Sequence, residues 1–183
     1  MDRELVERAR DGDRAAFASI VIASLGGLDR LARMITRDPE RAKDAVQETL
    51  IKAWRDLPGL RDPDRFDAWL RQLLVRSAID EVRRGRRLSM EVALIEFDHP
   101  RIADASTSIV DREALERVFR QIDPDQRALV VLHYYQGLPL ADAAAALRMP
   151  IGTAKSRLFR AREALRAALE ADARTPVLSE TAS

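Results

Sequence analysis

Between Ile151 and Leu169 the chain reads IGTAKSRLFRAREALRAAL, with Lys155, Arg157, Arg160, Arg162 and Arg166 as its basic side chains. Arginines and lysines grouped this way bind anions and acceptor edges, above all phosphates and guanine. Laid out at 100° per residue from Thr153, the segment puts Ala154, Leu158, Ala161, Leu165, Ala168 and Leu169 on one face, which must meet a core. Ser156, Phe159, Arg160 and Glu163 lie opposite, flanked near the N-terminal end by Thr153 and Lys155, while Arg162 and Arg166 fall on the side of Lys155. A solvated basic face accounts for the charges but not for Phe159, a large aromatic where such a helix carries polar residues. A short helix and a tight turn, RMPIG (148–152), lead into the helix expected from Thr153. That is helix-turn-helix spacing, which brings the second helix's first residues to a DNA major groove and its free N–H groups to a phosphate.

Little else in the chain bears chemistry. His99 and His133 are the only histidines, cysteine is absent, and neither histidine has a ligand or catalytic partner at useful spacing. His133, in VLHYYQG, reads as a helix-surface or packing residue. No glycine-rich phosphate loop, nucleophile elbow or metal motif appears, so no catalytic residue, metal or cofactor is expected. Lysine and arginine total 31 against 30 acidic residues, a net charge of +1. A chain-wide pull toward nucleic acid is therefore missing, and any basic site must arise by local segregation. The start, MDRELVERARDGD, is too charged for a signal peptide, and FASIVIASLGGL is too short and broken to span a membrane. The expected location is the cytoplasm.

These side chains need helices to hold them. The 183 residues allow one domain or two small ones, and helical periodicity dominates with no strand-like alternation. In AKDAVQETLIKAWRDL, Ala42, Ala45, Val46, Thr49, Leu50, Ala53, Trp54 and Leu57 form one apolar face. Opposite it lie Asp44, Gln47, Glu48 and Ile51, an exposed isoleucine among acids that points to a partner. A second helix is expected from about Pro63 to Arg84, capped by Asp62 and apolar nearly all round: Phe66, Trp69, Leu70 and Leu73 on one side, Val75, Ile79 and Val82 on the other. Gln72, Arg76 and Arg83 share one side of it. Trp69 reads as a core anchor. From Leu88 to Asp111 a single Arg101 faces Glu91, Glu96, Asp98, Asp104 and Asp111, a net of −4, with Pro100 and no sustained period. This reads as a flexible acidic linker with a short helical piece near Ser89 to Ile95. Helical spacing resumes at REALERVFRQI and at PDQRALVVLHYYQG, opened by Pro124 and closed by Gly137, and the tail RTPVLSETAS reads as disordered.

LPLADAAAALRMPIGTAKSRLFRAREALRAAL resembles the carboxy-terminal DNA-reading region of bacterial extracytoplasmic-function (ECF) sigma factors. GDRAAF (12–17), DAVQETLIKAW (44–54) and FDAWLRQLLVRSAIDEVRR (66–84) resemble that family's region two in order and spacing. The resemblance covers roughly Asp11 to Arg84 and Glu113 to Ala168. It implies an all-α protein with a region-two-like domain (1–87), an acidic linker (88–112), a region-four-like helix-turn-helix domain (113–170) and a tail (171–183). Its implied function is to direct RNA polymerase core to promoters and assist their opening, without enzymatic activity.

By the same resemblance Thr153, Lys155, Ser156, Phe159 and Arg160 would read the upstream (−35) promoter box. Asp44, Gln47, Glu48 and Ile51 would dock on the clamp helices of the polymerase's largest subunit, and Gln72, Arg76 and Arg83 would hold the downstream (−10) box as an opened strand. Arg157 and Arg162 would be phosphate contacts or solvated charges. The linker would thread the polymerase channel as a phosphate-chain mimic, and an anti-sigma factor would be a further partner.

Some positions depart from the family pattern. Arg76 stands where relatives usually carry Asn, Arg148 where the turn usually has Gly, Lys43 in place of an acid, and Ala143 and Ala154 in place of larger aliphatics. A positive φ at Arg148 would cost on the order of 1 kcal/mol. Two rival readings are a conventional helix-turn-helix regulator and a decoy that only binds an anti-sigma protein. The first leaves the Asp44 face idle, and the second has no use for Lys155, Ser156, Phe159 and Arg160.

Overall fold

A computed structural model describes residues 1–93, 119 and 122–173, and among them every regular element is helical. The elements in order are α1 (Arg3–Arg10), α2 (Arg14–Thr36), α3 (Pro39–Asp56), two 3-10 turns (Leu57–Gly59 and Pro63–Arg65) and α4 (Phe66–Ala93). After the undescribed stretch come α5 (Pro124–Val130), a π turn (Val131–Tyr135), α6 (Leu140–Ala146) and α7 (Ile151–Ala173). The expected helix over REALERVFRQI, the body of the acidic linker and the tail from residue 174 lie outside the described residues.

Aspartates set the starts. The carboxylates of Asp2, Asp13, Asp38 and Asp123 accept the first free N–H groups of α1, α2, α3 and α5. Proline follows Asp38 and Asp123 at the first turn, where its missing N–H loses nothing. Gln126 returns a bond to the Asp123 N–H and completes a capping box. Asp62 caps as its Asp-Pro sequence predicts, but what it caps is the 3-10 turn leading into α4.

Around α4, the N-terminal helices build one core from Val6, Ile20, Leu28, Ile35, Ala45, Phe66, Leu70, Leu74 and Val75, all at or below 6% exposure. Among the described residues α2 alone is long and apolar enough to cross a membrane, and its Ile20, Leu28, Leu31, Ala32 and Ile35 are packed into this core. Val75, Ile79 and Val82 are buried on the far side of α4. That helix is sandwiched as its apolar circumference predicts. The same buried cluster continues into the C-terminal helices as Leu129, Leu132, Ala143, Ala144, Ala154, Leu158 and Ala161. Ala143 and Ala154 are fully buried there, so alanine faces bring α6 and α7 together.

Three boundaries differ from the sequence reading. α4 continues past Arg84 through Gly85 to Ala93, so the helical piece expected near Ser89 to Ile95 is, as far as residue 93, an extension of α4 rather than a separate element of the linker. One glycine weakens a helix by about 1 kcal/mol, too little to end one packed on both sides. Gly85 also gives up its Cβ space to the Arg41 guanidinium from α3. α7 starts at Ile151, inside the expected RMPIG divider, with Ala154 N–H on the Pro150 carbonyl at 3.0 Å, and it runs through residues 171–173 of the expected tail. The turn before it holds Arg148 at φ 51, the left-handed geometry that favours glycine.

Candidate nucleic-acid and partner interfaces

The face of α7 is set by what it buries. Ala154, Leu158 and Ala161 are at 0%, 8% and 0% exposure, which turns Lys155, Ser156, Phe159 and Arg160 out to solvent. Phe159 is 64% exposed, an apolar ring kept in water with a basic residue on either side along the helix. Thr153 is half-buried, and its carbonyl accepts the Ser156 hydroxyl at 3.0 Å. Leu165, expected on the buried face, is half-buried. Arg162 is exposed. Arg166 pairs with Glu170 one turn on, at 2.9 Å. Arg157 is not a free phosphate ligand in this arrangement, because its Nη1 bonds Asp125 of α5 at 3.0 Å.

On α3, Asp44 and Gln47 are exposed and Ile51 is 57% exposed. Glu48 is half-buried and holds Lys52 at 3.1 Å, whose ammonium also reaches the buried Ser77 hydroxyl at 3.3 Å. Trp54 departs from its expected place in the core stripe. It is 39% exposed, edge-on to Phe17 with ring centroids 4.9 Å apart, and Leu50 is only half-buried. Both line an open apolar groove with Leu25, Val46, Gln47 and Ile51. The patch therefore runs from the acidic edge at Asp44 into an aromatic-floored groove that α2 completes. Helical spacing alone cannot show such a groove, because Leu25 and Phe17 come from another helix.

On α4 the three aligned polar residues have different surroundings. Gln72 and Trp69 line a groove with Leu138, Asp142 and Ala146 of the C-terminal domain. Trp69 tilts against Phe66 at 5.8 Å and is half-buried, not the full core anchor its spacing suggests. Arg76 is half-buried, and its Nε is shielded from water with no acceptor. Burial, and after it the charge of Arg148, lower its pKa from the ordinary arginine value. Arg83 donates to Asp125 at 2.8 Å. His133 accounts for itself locally, its Nδ1 bonding the Leu138 carbonyl at 2.8 Å across the turn at Gly137, where φ is 66.

Residues 21–88 match the model of Sigma-70 region 2, and residues 112–165 match that of Sigma-70, region 4. The RNA polymerase sigma-H factor of Pseudomonas aeruginosa is 32% identical, over 92% of this chain and 94% of that protein. The ECF RNA polymerase sigma factor SigM of Mycobacterium tuberculosis is 34% identical, over 90% and 82%. The chain belongs to the ECF RNA polymerase sigma factors.

It is a promoter-specificity factor that acts with RNA polymerase in transcription initiation. Two solved structures share the fold. The sigma factor RpoE from Bartonella quintana, in complex with the anti-sigma factor NepR, has a TM-score of 0.67 at 28% identity, over 85% of this chain and 98% of that one. CnrH, in complex with the cytosolic domain of CnrY, has a TM-score of 0.65 at 28% identity, over 93% and 98%. The α3 and α4 faces of this sigma factor fall in its region 2, and the α7 face in its region 4. Sequence reasoning missed the groove residues Phe17, Leu25 and Trp54 and the ion-pairing Asp125. It also missed Arg127, which is 3% exposed. The available signal for Arg127 was its place three and four residues before Val130 and Val131, on an apolar stripe.

Proposed function

We propose that the two halves divide promoter recognition. Residues 113–170 read the upstream box through Thr153, Lys155, Ser156, Phe159 and Arg160, and residues 1–87 dock on the polymerase clamp and hold the opened downstream box. The bare, half-apolar face of α7 carries this reading. A helix that packs through alanines and Leu158 keeps Phe159 in water at a cost in hydrophobic free energy, and contact with a base would recover it. Arg160 supplies the planar fork suited to guanine, and Lys155 a charge for a phosphate or a guanine.

Clamp docking rests on Asp44, Gln47, Glu48 and Ile51, with the apolar groove supplying buried area and the acids orientation and on-rate. Gln72, Arg76 and Arg83 hold the downstream strand after its bases unstack. The chain works in the cytoplasm, where the polymerase is, and does no chemistry of its own. An anti-sigma factor is a further partner, since two relatives of the same fold are held by other proteins in their solved complexes, one of them an anti-sigma factor. Run-off transcription with core polymerase on a randomised promoter library tests the division: recovered promoters should share two separated boxes. Recovery of a single operator-like site, bound equally without core, would instead make this a conventional regulator.

A further inference from the structure

The first helix, α1, precedes the residues that match region 2, and neither box reading nor clamp docking employs it. It buries Val6 and Ala9 in the core and lies against both 3-10 turns that lead into α4. From its first turn Arg3 reaches a residue 61 positions away: its Nη1 donates to Asp64 at 2.8 Å, while its Nε holds Glu7 at 3.0 Å. The Met1 ammonium meets Asp67, the second residue of α4, at 2.7 Å. Beside these ties, the loop from Leu57 to Arg65 is seated by Leu57 and Pro63, both buried, and keeps Arg61 and Arg65 exposed. Leu60 and Arg65 line the same groove as Trp69 and Gln72. The loop thus stands at the Gln72 end of the polar strip on α4.

We propose that α1 is a strut that aims the Leu57–Arg65 loop at the opened strand, with Arg3 as its positioning residue and Arg65 as the strand contact it places. The inference rests on the strand-holding role proposed above for Gln72, Arg76 and Arg83, and it extends that strip onto the loop. The loop's own bonds are local. Leu60 N–H meets the Leu57 carbonyl at 2.9 Å and Arg65 N–H the Asp62 carbonyl at 3.1 Å, which closes each turn without setting its direction against α4. Direction comes from α1, which Val6 and Ala9 lock into the core and Arg3 ties to Asp64. Both partners of that pair are more than half exposed, so it adds little to the stability of the fold. Its effect is to preorganise the loop, which spares strand capture the cost of ordering it. Arg65 is ready for such a contact. Among the described residues its one ion pair is with Asp62 at 3.9 Å, and its side chain is 82% exposed, which leaves the guanidinium open to a phosphate or a base edge.

The test uses holoenzyme reconstituted from the full chain and core polymerase. Its probe is a promoter recovered by transcription selection, duplex at the upstream box and single-stranded, non-template strand only, at the downstream box. Arg3→Glu sets an acid against Asp64 and Glu7 and should shorten the lifetime of that complex about fivefold, the upper range for an exposed ion pair. Tm and pull-down of core should stay as in the parent chain, which separates this loss from a general weakening of the fold. Asp64→Arg breaks the same pair while adding positive charge, and it too should shorten the lifetime. Arg3→Glu with Asp64→Arg rebuilds the pair in reverse and should restore it. Arg65→Ala should shorten it by a similar factor and add little on top of Arg3→Glu, because one residue acts through the other. A longer lifetime in Asp64→Arg, or no rescue in the reversed pair, would replace positioning by a plain charge effect and overturn the strut. Gln72→Ala separates the strut from the reading beneath it. If Gln72→Ala shortens the lifetime while the Arg3 and Arg65 variants do not, the strand-holding strip stands and the strut is wrong. If none of them does, the strand-holding role fails as well.

Discussion

Replacing Arg160 by alanine should alter what the polymerase reads and leave the protein's stability almost untouched. In the fold Arg160 is exposed, on the turn between the buried Leu158 and Ala161, with no ion pair or hydrogen bond among the described residues. Its removal exposes no cavity and strands no buried partner, so stability should change by no more than about 0.5 kcal/mol. A guanidinium forked onto a guanine discriminates by about 1–3 kcal/mol, roughly five- to 150-fold. That whole effect should appear at one position of the upstream box. Arg166→Ala is the control. Arg166 lies further along α7, is 73% exposed and is held only by Glu170, an i,i+4 pair worth about 0.3–0.5 kcal/mol. Its loss should lower affinity evenly across sequences, if at all. Binding-site selection by the reconstituted holoenzyme, read by sequencing, measures both. Arg160→Ala should flatten one column of the recovered motif while Arg166→Ala leaves every column as it was. Identical uniform losses in the two variants would refute the base-reading role of Arg160.

Ile51→Asp puts a charge in the apolar groove at a side chain more than half exposed, so circular dichroism should not change while pull-down of core polymerase weakens by about 2 kcal/mol or more. Normal pull-down would remove the groove from the docking surface. The double change Asp44→Arg with Glu48→Arg should abolish core association too, with a small stability loss because Glu48 holds Lys52. Leu74→Ala, at 0% exposure in the middle of α4, should cost about 2–5 kcal/mol and lower Tm by roughly 4–20 °C in a thermal melt. Asp13 caps α2, and the Ala16 N–H, then the Arg8 guanidinium, hold its carboxyl below the ordinary range. Its contribution is present above the ordinary carboxylate pKa and lost as pH falls through the lowered one. Asp13→Asn keeps the cap acceptor but does not titrate, so the decline in Tm on acidification should be shallower than in the parent chain.

Features set by neighbours along the chain were legible before the fold. Asp38-Pro39, Asp62-Pro63 and Asp123-Pro124 announce starts because a carboxylate and a proline act on N–H groups only a few bonds away. The outward set on α7 followed from 100° per residue, since one buried stripe fixes every other direction on the same helix. Even the strained turn at Arg148 was foreseeable, because glycine's usual place marks a left-handed φ. What the spacing could not decide was what each face would meet. Trp54 belongs by period with Ala53 and Leu57, yet it lies half out of the core because α2 lends Phe17 to one side of it and leaves a groove on the other. The stop at Arg84 failed because packing on both sides of α4 outweighs one glycine. Arg157 and Arg127 carry no local mark of their partners, since Asp125 and the Ile35 carbonyl reach them only when distant helices dock. Short-range geometry is written into the covalent chain. The pairing of a charge with its partner across two domains exists only once both are folded against each other.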